Sequence, residues 1–312
     1  MSRVVAVAGG SGNLGRTIVE AILADGKFTP IILSRKVDTE KEKEIGARFV
    51  PVDYGDVESL IKTLESQNVE IVISVLNTMN SSQIELNLIE ASDKATSTKR
   101  FIPSVWGIEF PQWAIEMFPP AGFKVEVTKV LEKTSLEWTS WSPGYFLDWW
   151  VTPHIKSHMA TFALVVDVAN KTAAIPGSGD VPVALTYTFD LAKFVAASLS
   201  LPKWEKTTYC IGDKVTMNEL LAIAEEARGA KFTVTTDEIE TLKKGQVTEL
   251  PSHSQTYAFF PKQMLQPFLA LFGLMFAEGV FDMKPAHTIN DDFPDIKTHT
   301  VKELVTEAWK GK

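Results

Sequence analysis

The sequence predicts an α/β protein, a doubly wound parallel sheet accompanied by a smaller, discontinuous α/β lobe. Three observations carry that expectation. Between residue 3 and about residue 141, short apolar runs alternate with amphipathic segments, the pattern of a parallel sheet covered by helices. The first run, 4–8, ends in a glycine loop, Gly9, Gly10, Gly12 and Gly15, and a helical pattern begins at once. After residue 145 the alternation fails, and aromatic, polar and apolar residues mix. A strand-loop-helix with glycines so spaced reads as a Rossmann-type dinucleotide turn. One glycine makes the tight bend, one admits backbone close to a pyrophosphate, and one lets helix and strand pack closely.

In chain order, the strand candidates are 4–8, 31–33, 48–51, 71–75, 100–102 and 138–141. Helix candidates lie between them at 14–23, 39–44, 57–65, 81–95 and 123–133, and right-handed crossovers wind them onto both faces. A helix over 190–199 carries Leu191, Phe194, Val195 and Leu199 on one face, with Asp190 as its cap, and should pack back onto the first domain. Strand, helix and strand follow at 208–211, 217–227 (capped by Thr216) and 232–235. The expected organisation is a nucleotide-binding domain of 1–150 joined by 183–202. A substrate lobe of 151–182 and 203–312 then lies over the carboxyl ends of the strands.

A chain of 312 residues that is 45% hydrophobic can bury a substantial core. Its formal net charge of -8 and the lack of a basic block argue against nucleic acid or an anionic membrane as partner, and favour a small hydrophobic molecule. Met1-Ser2-Arg3 lead straight into the first strand with no signal core, and the longest apolar run, 267–277, is too short to span a bilayer. The one cysteine, Cys210, permits no intrachain disulfide. The expectation is a cytoplasmic monomer or homodimer with no membrane partner.

Gly9, Gly10, Ser11, Gly12, Asn13, Leu14 and Gly15 would aim backbone N–H groups at a phosphate, at the positive end of the helix macrodipole. A site for NAD usually has Asp or Glu at the end of the second strand, on the ribose 2′-hydroxyl. Here Ser34-Arg35-Lys36 stand in that place. The planar fork of Arg35 and the charge of Lys36 suit a 2′-phosphate, so the expected cofactor is NADP(H); the other reading of the pair is the solvated start of a surface helix. Asp53, beside Tyr54 at the end of the third strand, either accepts from the adenine amine or caps the next helix, where Asp56 also offers a cap. Ser74, Leu76 and Asn77 end the fourth strand, near the place of a nicotinamide ribose.

GGSGNLG, LSR at 33–35, VDYGD at 52–56, IPSVWG at 102–107 and LEWTSWSPGYF at 136–146 together resemble the NmrA-like and isoflavone-reductase-like branch of the atypical short-chain dehydrogenases, its fungal members above all. The resemblance extends through FDLAKFV at 189–195 and NELL at 218–221. It implies that Lys124, heading the helix before the sixth strand, serves the nicotinamide ribose and the proton transfer, with Ser104 on the floor of the site. Ordinary short-chain dehydrogenases keep a tyrosine four residues before their lysine; Pro120 stands there instead. Val105 replaces the glutamate of the isoflavone-reductase pattern, which removes a partner for the lysine or the substrate. Among Trp106, Phe118, Phe123 and Trp141 a lysine loses hydration and its pKa falls toward neutrality; a solvated helix residue is the other reading of Lys124.

Trp138 reads as core. Trp106, Tyr145, Phe146, Trp149 and Trp150, with His154, are the expected substrate contacts, suited to a hydrophobic, aromatic secondary metabolite. His154 and His158 have the i, i+4 spacing of a metal pair, but nothing nearby completes a ligand set, so no metal is expected. His154 either assists proton transfer or is a partly exposed polar residue. Residues 268–281 form either a mobile apolar lid or a buried helix. The expected activity is NADPH-dependent reduction of a C=C, C=O or C=N bond. Two alternatives stand beside it: a dinucleotide-sensing regulatory protein of NmrA type without turnover, and a non-redox cyclase or isomerase using the same pocket.

Overall fold

The structure, a computed structural model, describes residues 3–258 and 260–312. Met1 and Ser2, part of the N-terminal reading, lie outside the described residues. Six parallel strands make the central sheet: β1 (Arg3–Ala8), β2 (Phe28–Ser34), β3 (Arg48–Pro51), β4 (Val69–Ser74), β5 (Arg100–Ile102) and β6 (Glu137–Trp138). Their spatial order is β3-β2-β1-β4-β5-β6. The crossover helices are α1 (Asn13–Asp25), α2 (Thr39–Ile45), α3 (Val57–Ser66) and α4 (Gln83–Lys94), then α5 (Gln112–Met117) and α6 (Gly122–Leu131) before β6.

Side chains alternate across a strand, so β1 feeds two cores. Val5 and Val7 join Leu14 and Ile18 of α1 on one face. Ala6 and Ala8 join Leu60 of α3, Leu88 of α4 and Val127 of α6 on the other. A strand buried on both faces has no polar side to show, which is why 4–8 reads as a continuous apolar run.

Beyond β6 the chain builds β7 (Ser140–Ser142), β8 (Tyr145–Phe146), α7 (Asp148–Val151), β9 (Val166–Asp167), β10 (Thr172–Pro176), β11 (Val183–Thr186) and α8 (Thr188–Ser198). There follow β12 (Thr207–Tyr209), β13 (Asp213–Val215), α9 (Met217–Arg228), β14 (Thr233–Asp237), α10 (Ile239–Leu242), α11 (His253–Thr256), α12 (Lys262–Ala277), α13 (Ile289–Asp292) and α14 (Val301–Trp309). The sixth strand candidate, 138–141, divides in two. Trp138 closes β6, whereas the Ser140 N–H donates to the Lys206 carbonyl at 3.0 Å and β7 pairs in parallel with β12.

Helix α8 packs against α1. Asp190 does not cap it: buried in the first turn, Asp190 accepts from the His299 backbone N–H at 2.8 Å and lies 2.8 Å from the His299 ring nitrogen. The first N–H of the helix, on Thr188, goes to Asp148 at 2.9 Å, which leaves Asp190 available to tie down the C-terminal segment. Thr216 caps α9 in a capping box with Glu219, as its spacing predicts. None of the described helices is long and apolar enough to cross a membrane.

Candidate functional site

The turn after β1 separates its glycines by task. Gly9 has φ +80, and a Cβ there would lie 2.6 Å from the Val75 carbonyl oxygen; at Gly15 it would lie 2.3 Å from the oxygen of Gly9. Backbone cannot yield that much, so both positions require glycine for the loop to close. Gly12 is different, because a Cβ there meets nothing within 4 Å. It is the N-cap of α1, with no side-chain cap and no acidic residue in the first turn, so no side chain of that turn competes for its N–H groups. The loop stands between β2 and β4, where the winding of the sheet reverses. Ser11 is half-buried, Asn13 is exposed and Leu14 is buried beneath them. Gly12→Val, which fills that space, is therefore expected to cost at most about 1 kcal/mol of stability at the N-cap while weakening a phosphate-bearing ligand seated over the turn about a hundredfold, roughly 2.7 kcal/mol. Fluorescence titration beside a thermal melt checks both, and a stable variant with undiminished affinity would refute a ligand over Gly12.

At the end of β2, Arg35 and Lys36 are exposed, and the nearby acids are committed elsewhere. Glu44 pairs with Arg16, Glu40 with Lys43, and Asp38 caps α2. The charge of Arg35 is felt by the Tyr54 hydroxyl, which donates to the Leu33 carbonyl at 3.1 Å and is pushed up by burial. Asp53 is exposed and takes the Gly55 N–H at 2.8 Å; the cap of α3 is Asp56, bonded to the Ser59 N–H at 3.0 Å. Ser74 is fully buried. The Ser104 hydroxyl donates to the Leu76 carbonyl at 2.8 Å, and exposed Asn77 accepts from the Met79 N–H at 2.9 Å. These bonds bring the ends of β4 and β5 together beside the glycine loop.

Lys124 heads α6 after a 3-10 turn over Pro119–Ala121 that contains Pro120. Its ammonium lies 5.8 Å from the Phe110 ring centroid and borders a cavity of about 510 Å³, whose walls include Val105, Ile108, Phe110, Trp138, Trp141 and Met283. Burial pushes the lysine pKa down, and the field of Glu85 opposes that fall. Glu85, 1% exposed, accepts the Ser104 N–H at 2.6 Å, and burial pushes its own pKa up. Sequence reasoning passed over Glu85, although it shares a helical stripe with Leu88, Ile89 and Ser92, all buried.

Trp106 donates from its indole to the Ser74 carbonyl at 2.9 Å and stacks on Trp141 at 6.3 Å. Tyr145 is buried, its ring 5.4 Å from Phe272, 5.4 Å from Phe276 and 5.8 Å from Phe281. Phe146 packs on the core between β1 and α8, and Trp150 is 1% exposed with its indole bonded to the Leu164 carbonyl. Trp149, edge-on to Phe162, borders a second cavity of about 580 Å³. Exposed His154 contacts Trp309 and Lys312, whereas His158 reaches Glu20 at 2.8 Å. Thus Trp138 and Trp141 border the Lys124 cavity, while Tyr145, Phe146, Trp149, Trp150 and His154 do not. The pairing of β8 with β11 carries Tyr145 and the residues after it into the second lobe. Of residues 268–281, those up to Ala277 belong to α12, whose Leu269, Leu271 and Met275 are buried, and 278–281 turn out of the helix. Among the described residues, no three His, Cys, Asp or Glu side chains gather as a metal site.

The chain matches the NmrA-like family over residues 1–296. It is 37% identical to the oxidoreductase BOA1 of Botryotinia fuckeliana over 73% of this chain and 77% of that one. It is 29% identical to the oxidoreductase swnN of Metarhizium robertsii over 99% of this chain and 98% of that one. Its fold resembles that of leucoanthocyanidin reductase from Vitis vinifera in binary complex with NADPH, with a TM-score of 0.76 and 18% identity over 97% of this chain and 98% of that one. With the glycine turn, the sheet order and a match that spans nearly the whole sequence in agreement, the chain belongs to the NmrA-like family.

Proposed function

We propose that the chain is an NADPH-dependent oxidoreductase that reduces a C=C, C=O or C=N bond of a small hydrophobic, aromatic metabolite in the cytoplasm. One observation carries the reading: the uncapped turn behind open Gly12 connects, through Val75, Leu76 and Ser104, to a lysine desolvated at the wall of an aromatic-lined cavity. The naming of two relatives as oxidoreductases, and the NADPH held by a protein of similar fold, support it.

In this reading, the backbone N–H groups of Ser11 and the N-cap Gly12, with those of Asn13 and Leu14 in the first turn of α1, hold the pyrophosphate, with Gly9, Gly10 and Gly15 shaping the loop beneath. Arg35 and Lys36 take the 2′-phosphate, Asp53 and Tyr54 border the adenine, and Ser74, Leu76, Asn77 and Ser104 border the nicotinamide ribose. The bound nicotinamide supplies a hydride. Lys124 holds the ribose, and its ammonium gives a proton to the anion that forms on the substrate, while Ile108, Phe110, Trp141 and Met283 keep water from it.

Arg35→Ala should raise the Kd for NADPH ten- to a hundredfold, about 1.5–3 kcal/mol for hydrogen bonds to a charged group, and leave the Kd for NADH unchanged. Equal losses for both nucleotides would sink the 2′-phosphate assignment. The activity is tested by the loss of NADPH absorbance against a panel of aromatic aldehydes, imines and enones. Tight NADPH binding with no turnover across that panel would replace the oxidoreductase reading with a regulatory one.

A further inference from the structure

Three of the eight buried side-chain polar atoms left without a hydrogen-bond partner among the described residues belong to Trp138, Ser140 and Trp141: two indole N–H groups and a hydroxyl. All three residues are walls of the cavity that Lys124 borders. Each such atom is destabilising until something bonds to it, and three on one cavity wall point to a polar guest. The cavity follows α6. Lys124, Val125, Thr128 and Glu132 line it from the head of the helix to its C-cap, about 12 Å at 1.5 Å per residue. Trp138 comes six residues after Glu132, toward the end of α6 away from Lys124, and Trp141 continues the wall to Trp106, on which it stacks at 6.3 Å.

The charges around this cavity favour an anion at the Trp138 end. Exposed Lys206 holds its ammonium 4.2 Å from the Trp138 ring centroid and makes no ion pair among the described residues. Lys284 is tied to Asp282 at 2.7 Å. Glu109 and Glu132 also border the cavity, but both are exposed, where water and salt screen them. An indole N–H, a hydroxyl and an ammonium together call for an acceptor with several lone pairs, and an ionised carboxylate has about four acceptor sites. We propose that the Trp138 end of the cavity is a carboxylate subsite, in which Trp138, Ser140 and Lys206 take the acid group of an aromatic guest whose ring extends toward Lys124. The subsite is a property of the folded chain; that its guest is the substrate rests on the oxidoreductase reading.

Isothermal titration with cinnamate and with its neutral amide, cinnamamide, reads the subsite without turnover. Cinnamate should bind about tenfold tighter than the amide, because its hydrogen bonds are charge-assisted. Trp138→Phe and Ser140→Ala should each weaken cinnamate about tenfold. Lys206→Met should weaken it by no more than about fivefold, since the ammonium is exposed, and should leave the amide unchanged. Without a guest, Ser140→Ala should melt no lower than wild type, because it removes a hydroxyl that nothing bonds; this variant carries the test if Trp138→Phe does not fold. Equal affinity for acid and amide, no binding of cinnamate at millimolar concentration, or undiminished binding in folded Ser140→Ala overturns the proposal. A lower melting temperature for Ser140→Ala does so too, since it would reveal a structural partner for the hydroxyl. Cinnamate binding that depends on Ser140, with no NADPH turnover on the aldehydes, imines and enones, sinks only the oxidoreductase reading, whereas turnover with acid and amide bound alike sinks only the subsite.

Discussion

Lys124→Met is expected to slow NADPH turnover by about two to four orders of magnitude, the usual contribution of a positioned proton donor, while NADPH affinity falls by less than about tenfold. The asymmetry follows from where the lysine sits. The phosphates and adenine are proposed to be held by the glycine loop and Arg35, whereas Lys124 meets only the ribose and the reacting substrate. Methionine fills the same space without a charge that burial disfavours, so the fold should survive. What the variant leaves behind is Glu85 without its cation. Burial already raises that carboxyl above its ordinary value of 4.5, and without Lys124 it rises further. A carboxyl whose pKa is higher folded than unfolded favours the folded state when protonated. Its contribution is present below the unfolded pKa and is lost as pH rises toward the folded one. Thermal melts of Lys124→Met should therefore gain on wild type as pH falls into the carboxylate range. Turnover at the wild-type rate on any substrate accepted from the panel would remove Lys124 from the mechanism.

The sheet was legible because burial on both faces leaves its imprint residue by residue: Val5, Ala6, Val7 and Ala8 are all fully buried, and all are apolar. The loop was legible because closing it without glycine at positions 9 and 15 would drive a Cβ into backbone oxygen. The division of 138–141 was not, since it depends on a hydrogen bond to Lys206, far along the chain. Glu85 escaped for a related reason. Its buried carboxylate finds the Ser104 N–H only once α4 packs beside the end of β5, which no local pattern shows. The aromatic residues after Trp141 posed the hardest problem, because a pocket wall and a core use the same side chains. Where these side chains pack depends on the pairing of β8 with β11 and on the docking of α12, neither of which has a local signature.

That distinction makes Trp150 the sharpest stability test in the molecule. Trp150→Ala should cost about 3–5 kcal/mol, the range for truncating a buried aromatic side chain, because the ring is 1% exposed and lies 5.8 Å from Tyr145 at the centre of the second core. The loss has two parts. Space opens between α7 and α14 beside the second cavity, which Trp150 also borders; Trp309 still donates to the Trp150 carbonyl at 2.7 Å, and the Leu164 carbonyl loses its indole donor, worth about 1–3 kcal/mol if left unmade. Trp149→Ala removes a ring only partly buried against Phe162, at the edge of the second cavity, and should cost roughly half as much or less. Urea denaturation separates the two variants, and NADPH titration of the folded Trp150→Ala fraction should give the wild-type affinity. Should Trp150→Ala instead keep the wild-type stability and lose turnover, the ring would be a substrate contact, as the sequence alone suggested, and the packing around Tyr145 would need another keystone.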